Sequence, residues 1–121
     1  MIEPSRFVKF LSKNKINFFT GVPDSLFKSL CIYLENKQKK NNFVTANEGS
    51  SIGLGIGYYL AKKKIPLVYL QNSGLGNTIN PLVSMASDKV YGIPLFLLIG
   101  WRGEIYKNNQ EGEYCKIFSN K

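Results

Sequence analysis

The chain has 121 residues, 44% of them hydrophobic, with 16 lysines and arginines against 8 acids for a formal charge of +8. That is enough chain and enough apolar content for one domain, or part of one, with a real core. There is no histidine, which excludes Ser-His-Asp and Cys-His nucleophile systems and most zinc sites from this chain alone. Its two cysteines, Cys31 and Cys115, have no metal-ligand spacing and imply no disulfide.

The longest apolar run, 93–99, falls well short of the roughly 20 residues of a membrane span. No basic segment followed by an apolar one opens the sequence, so no signal peptide is expected and the location is read as cytoplasmic. The lysines cluster at Lys37, Lys39 and Lys40 and again at Lys62, Lys63 and Lys64, where helices are expected to finish. Cations there complement the helix dipole. The charge therefore reads as a solvated face rather than a nucleic-acid footprint.

In chain order, Pro4 suits a first helical turn, and Phe7, Phe10 and Leu11 predict a short amphipathic helix ending near Asn14. A strand is expected over 16–20. Gly21-Val22-Pro23-Asp24-Ser25 then turns into a helix with Asp24 or Ser25 as its cap and Leu26, Leu30, Leu34, Phe27 and Cys31 as its buried face. The second strand is expected over 43–46, followed by Asn47-Glu48-Gly49 and a helix to about Lys62. Glycine at 49, 53 and 57 shares one face of that helix. Each weakens a helix by about 0.5–1 kcal/mol relative to alanine, which points to close approach of another backbone or a ligand.

The third strand is expected over 67–71, and Asn72-Ser73-Gly74-Leu75-Gly76-Asn77 turns from it into a helix placed at 81–86. A polar stretch over 87–92 precedes a fourth strand, 94–99, ending at Gly100-Trp101-Arg102-Gly103. The remainder, 105–121, is polar and aperiodic. Four strand-helix alternations, with the last two strands apolar throughout, predict an α/β fold: an open parallel sheet with helices on both faces. In such sheets ligands bind beyond the carboxyl ends of the strands, where all four polar and glycine clusters fall. Glu48 stands in one of them, either as a catalytic carboxylate or as an acid stabilising a helix N-terminus. None of the clusters has the spacing of a dinucleotide fingerprint or a P-loop.

Four stretches, Thr20-Gly21-Val22-Pro23-Asp24-Ser25, Ala46-Asn47-Glu48-Gly49, Gln71-Asn72-Ser73-Gly74-Leu75-Gly76-Asn77 and Gly100-Trp101-Arg102-Gly103-Glu104, resemble the N-terminal pyrimidine-binding domain of phosphonopyruvate decarboxylase. Sulfopyruvate decarboxylase is the near relative, and acetolactate synthase a distant one. The resemblance spans 4–104 and implies a partial pyrimidine-binding domain over 1–104, followed by a divergent polar tail over 105–121. It implies thiamine diphosphate as cofactor. Glu48 would be catalytic, hydrogen-bonding N1′ of the aminopyrimidine so that the 4′ nitrogen can remove the thiazolium C2 proton before a 2-oxo acid loses carbon dioxide. The cofactor carries the hard chemistry and the protein positions it.

By the same resemblance Pro23 lines the pyrimidine pocket, Ser25 contacts the substrate carboxylate, and Gln71 and Asn72 contact cofactor or substrate. Asp24 is a proton relay or merely the helix cap. Arg102 pairs with a phosphonate, for which a guanidinium is suited, or with a surface carboxylate. The family's domain continues through two more strand-helix units, and a second domain holds the diphosphate through Mg²⁺ on a G-D-G…N segment. Neither is present in these 121 residues. The expected partners are therefore a diphosphate-binding domain or subunit in a homo- or hetero-oligomer and a small 2-oxo acid, with no nucleic acid and no membrane. An inactive interaction module is the alternative.

Overall fold

The computed structural model describes residues 3–102; the tail over 105–121, with Cys115, Gly103 and Glu104, lies outside them. Helix α1 (Pro4–Lys13) opens with Pro4 in its first turn. Glu3 caps it, its carboxylate accepting from the amides of Ser5 at 3.0 Å and Arg6 at 3.1 Å. The buried residues of α1 are Val8 and Leu11. Phe10, expected inside, is 61% exposed, because the inward stripe runs through Phe7, Val8 and Leu11.

Strand β1 (Phe19–Gly21) begins later than expected. Ile16 is buried, but its amide bonds back to Leu11, so it closes the helix instead of entering the sheet. A 3₁₀ turn (Ser25–Phe27) leads into α2 (Lys28–Lys37), whose buried residues are Leu30 and Leu34. Leu26 is 54% exposed, since it sits in the 3₁₀ turn where the helical spacing that places Leu30 and Leu34 does not apply.

Strand β2 (Asn42–Val44) is followed by α3 (Glu48–Lys62). Asn47 caps α3, its Oδ1 accepting from the Ser50 amide at 2.8 Å, and the helix stops at Lys63 in the left-handed conformation, φ 54°. Strand β3 (Leu67–Gln71) passes through a 3₁₀ turn (Asn72–Gly74) into α4 (Leu75–Pro81). Helix α4 thus starts six residues before the expected position at 81. Pro81 lacks an amide hydrogen and cannot continue the i to i−4 ladder, and the chain relaxes there into a π-helical turn (Leu82–Ala86). Strand β4 (Phe96–Gly100) completes the described elements.

All pairings are parallel and the order is β2-β1-β3-β4. Alternation along β3 divides the core in two. Leu67 and Tyr69 face Val8, Leu11, Leu30 and Leu34 of α1 and α2. Val68 and Leu70 face Ile52 and Ile56 of α3, together with Ile93. Strand β3 is therefore covered on both faces, as its sequence predicts. Strand β4 is, with β2, an edge of the described sheet, and Phe96 is 39% exposed. The chain runs outward from β1 to β2, then crosses back to β3, so the direction of winding switches between β1 and β3. The crevice beyond their carboxyl ends is where this architecture holds ligands.

The glycine stripe of α3 behaves differently from expectation. A Cβ at Gly53 or Gly57 would meet nothing within 4 Å, whereas one at Gly49 would meet the Asn77 carbonyl at 2.8 Å. The glycine pressed onto the sheet is Gly55, whose Cβ would meet Val68 at 3.2 Å and Pro66 at 3.3 Å. Among the described residues, no helix is long and apolar enough to cross a membrane.

Gly53→Ala fills open space on a helix and is expected to raise stability by about 0.5–1 kcal/mol. Gly55→Ala crowds the sheet and is expected to give no gain or to cost about 1–3 kcal/mol. Urea denaturation of the two variants measures both.

Candidate active site at the carboxyl edge of the sheet

Glu48 is the first residue of α3, carried there by the turn that follows β2. That turn is pinned by its own side chains. The Thr45 hydroxyl donates to the Asn47 carbonyl at 2.9 Å and is in close hydrogen-bond contact with the Ser51 hydroxyl. With the Asn47 cap in place, the Glu48 side chain leans toward the turn after β3. Its Oε2 accepts a hydrogen bond from Asn77 Nδ2 at 2.7 Å. Its Oε1 lies against Gly74, where any Cβ would overlap the carboxylate, and makes no hydrogen bond among the described residues.

A second cluster joins the ends of β1, β3 and β4. Asp24 Oδ1 pairs with the Arg102 guanidinium at 2.8 Å, with the Asp24 side chain fully buried and that of Arg102 19% exposed. Asn72 holds the backbone of the same residue, its Nδ2 donating to the Arg102 carbonyl at 2.9 Å and its Oδ1 accepting from the Arg102 amide at 3.3 Å. Asp24 also caps the 3₁₀ turn through the Leu26 amide at 3.4 Å. Its second oxygen presses on Gly100, where a Cβ would overlap it. Three residues that the sequence assigned to substrate or cofactor are thus bonded to one another. Arg102 engages a carboxylate, and that carboxylate is Asp24, buried within the fold.

The remaining site residues separate. Gln71, at the end of β3, donates from Nε2 to the Ser73 hydroxyl at 2.7 Å, a contact within its own turn. Pro23 and Ser25 are exposed at the end of β1. They open onto a groove of about 820 Å³ between α2 and β2, lined further by Lys28, Cys31, Glu35 and Tyr69. Burial pushes the Cys31 thiol above its ordinary value. Burial likewise pushes the Tyr69 phenol up to about 12, partly offset by its hydrogen bond to Asn42 Oδ1 at 3.0 Å. No group of three or more cysteines and acids capable of holding a metal occurs among the described residues. The sequence reading missed Asn77 and Gly74 as neighbours of Glu48. Both stand in the third motif, but nothing local signals a contact 29 positions away.

The open parallel sheet thus carries two carboxylates at its carboxyl edge, Glu48 held by Asn77 and Asp24 buried against Arg102. Residues 5–117 match the family model described as thiamine pyrophosphate enzyme, N-terminal TPP binding domain, and the chain belongs to this family. Among curated relatives it is similar to the sulfopyruvate decarboxylase subunit alpha of Methanococcus maripaludis, 35% identical over 97 residues, 80% of this chain and 56% of that protein. The corresponding subunit of Methanocaldococcus jannaschii is 35% identical over 95 residues, 78% of this chain and 54% of that protein. The chain therefore spans just over half the length of these relatives. In fold it resembles benzoylformate decarboxylase from Polynucleobacter necessarius, with TM-score 0.64 and 21% identity over 83% of this chain and 18% of that one.

Asp24→Asn leaves the Arg102 guanidinium without its buried counter-charge and is expected to cost about 2–4 kcal/mol, measured by chemical denaturation. The Tyr69 phenol has its folded pKa raised above the unfolded value of 10.0 to about 12. The stability it contributes is fully present below the unfolded value and lost as pH rises through the folded one. Tyr69→Phe is expected to flatten the fall in stability between pH about 10 and about 12, read from denaturation midpoints across that range.

Proposed function

We propose that this chain supplies the pyrimidine side of the thiamine diphosphate site in a 2-oxo acid decarboxylase. The observation that carries the reading is the Glu48 carboxylate at the helix N-terminus, one oxygen steadied by Asn77 and the other without a hydrogen-bond partner among the described residues. The donor set fits the cofactor. A half-buried carboxylate at the strand edge is an acceptor for a protonated ring nitrogen, and Gly74, having no side chain, leaves the space in which that carboxylate sits. When bound, thiamine diphosphate supplies an acidic carbon that adds to the keto carbon of the substrate and accepts the electron pair released with carbon dioxide.

The chain's own residues then have distinct tasks. Glu48 holds the proton shared with N1′ of the pyrimidine. Pro23 lines the pyrimidine pocket, and the exposed Ser25 hydroxyl donates to the substrate carboxylate. Gln71 stiffens the turn that presents Gly74. Asp24, Asn72 and Arg102 fix the strand ends so that these groups stay in register. Diphosphate and Mg²⁺ belong to a second domain or subunit, a reading supported by the fact that the similar curated proteins are named as alpha subunits.

The substrate proposed is a three-carbon 2-oxo acid with a second anionic group. Phosphonopyruvate, giving phosphonoacetaldehyde, is the reading carried by the motif resemblance. Sulfopyruvate is the second reading, supported by the names of the relatives that are 35% identical.

Assembled with a diphosphate-binding partner, Glu48→Gln is expected to lose turnover by about 100-fold or more, in the range of a lost acid-base group, with the thermal midpoint unchanged. Wild-type turnover in that variant overturns the role given to Glu48. Decarboxylation assays on the two 2-oxo acids decide between phosphonate and sulfonate by the ratio of their kcat/KM.

A further inference from the structure

Asn77 is an expensive residue where it stands. It lies inside α4, a seven-residue helix, and asparagine is a poor helix former that competes for backbone hydrogen bonds. Its own turn does not use the side chain. The amide instead reaches across to Glu48 Oε2 at 2.7 Å. The two backbones are in contact at the same place, since the Asn77 carbonyl sits 2.8 Å from where a Cβ of Gly49 would be. The distance from Asn77 to Glu48 is therefore set by packed main chain rather than by a flexible side chain finding a partner.

We infer that Asn77 is a positioning residue for Glu48, holding Oε2 so that Oε1 is presented to the pyrimidine ring nitrogen. This rests on the function proposed above. A glutamate side chain that is not held spreads over several rotamers, and ordering it at the moment of binding costs entropy. Asn77 removes that freedom by donating to one oxygen, and Gly74, having no side chain, leaves the space that this carboxylate pose occupies. The chemistry of the donor matters as well. A lysine or arginine at this place would neutralise the carboxylate and compete with the cofactor for it, whereas an amide donates a hydrogen bond and leaves the negative charge intact. The asparagine thus orients Glu48 without consuming what it is there to provide.

The test has two arms. In the chain alone, the Asn77 side-chain amide resonances in a ¹⁵N-labelled sample are expected to move on Glu48→Ala while the other asparagine side-chain amides stay in place. In the complex with a diphosphate-binding partner, Asn77→Ala is expected to slow hydrogen-deuterium exchange at C2 of bound thiamine diphosphate by about tenfold or more, the loss of one charge-assisted hydrogen bond. Affinity for the cofactor and the thermal midpoint are expected to change little, which a merely structural role would not allow. Asn77→Asp, which replaces the donor with a like charge, is expected to slow exchange further. Unmoved Asn77 resonances, or wild-type exchange in Asn77→Ala, overturn the positioning role. A wild-type complex that does not bind thiamine diphosphate overturns the functional reading, and with it any cofactor role for Asn77, while the resonance arm still decides the contact with Glu48.

Discussion

The structure turns on how closely α3 and the turn after β3 approach one another. Glu48 is seated against Gly74, a residue that can have no side chain there, and is tied by Asn77 one helical turn further on. This contact joins the end of β2 to the end of β3 across β1, the strand that lies between them in the sheet. It requires the crossover helix to lie tightly over the sheet, and Gly55 packed on Val68 and Pro66 allows that. The carboxylate is thus positioned by close packing at three glycines, Gly49, Gly55 and Gly74.

The second constraint is electrostatic. Burying an aspartate is costly unless its charge is met and hydrogen-bonded, and Asp24 meets Arg102 at 2.8 Å with its side chain fully buried. Asn72 completes the arrangement by bonding the Arg102 backbone on both its amide and its carbonyl. The result ties the ends of β1, β3 and β4 into one edge, with Gly100 making room for the carboxylate. Pro23 and Ser25 project from that edge because Asp24, between them, is drawn inward. Alternate residues of a single turn therefore divide between holding the fold and facing the groove.

Much of the architecture was legible in the sequence because it depends on local periodicity. The continuous apolar run of β3 predicted a strand covered on both faces, and the asparagine-glutamate-glycine turn predicted the start of α3. Where the reading slipped, local hydrogen bonding at the ends of elements had overruled the periodic pattern. Ile16 was drawn back to close α1, Leu26 fell in a 3₁₀ turn, and α4 began at Leu75, directly after the 3₁₀ turn over Asn72–Gly74. The glycine stripe of α3 was a different case. Spacing shows which glycines share a face, but not which face meets the sheet, and the sheet took Gly55.

The sequence by itself determined the alternation of strands and helices, the parallel sheet, the edge on which the polar clusters gather, and the family those clusters resemble. These follow from spacing and residue type, which are properties of a chain read in one dimension. Only the tertiary structure decided which polar groups meet. It paired Arg102 with Asp24, bound Asn72 to the backbone beside them, and placed Asn77 on Glu48. Hydrogen bonds and ion pairs form over about 3 Å between residues 29 to 78 positions apart, and no local pattern in the chain encodes that distance.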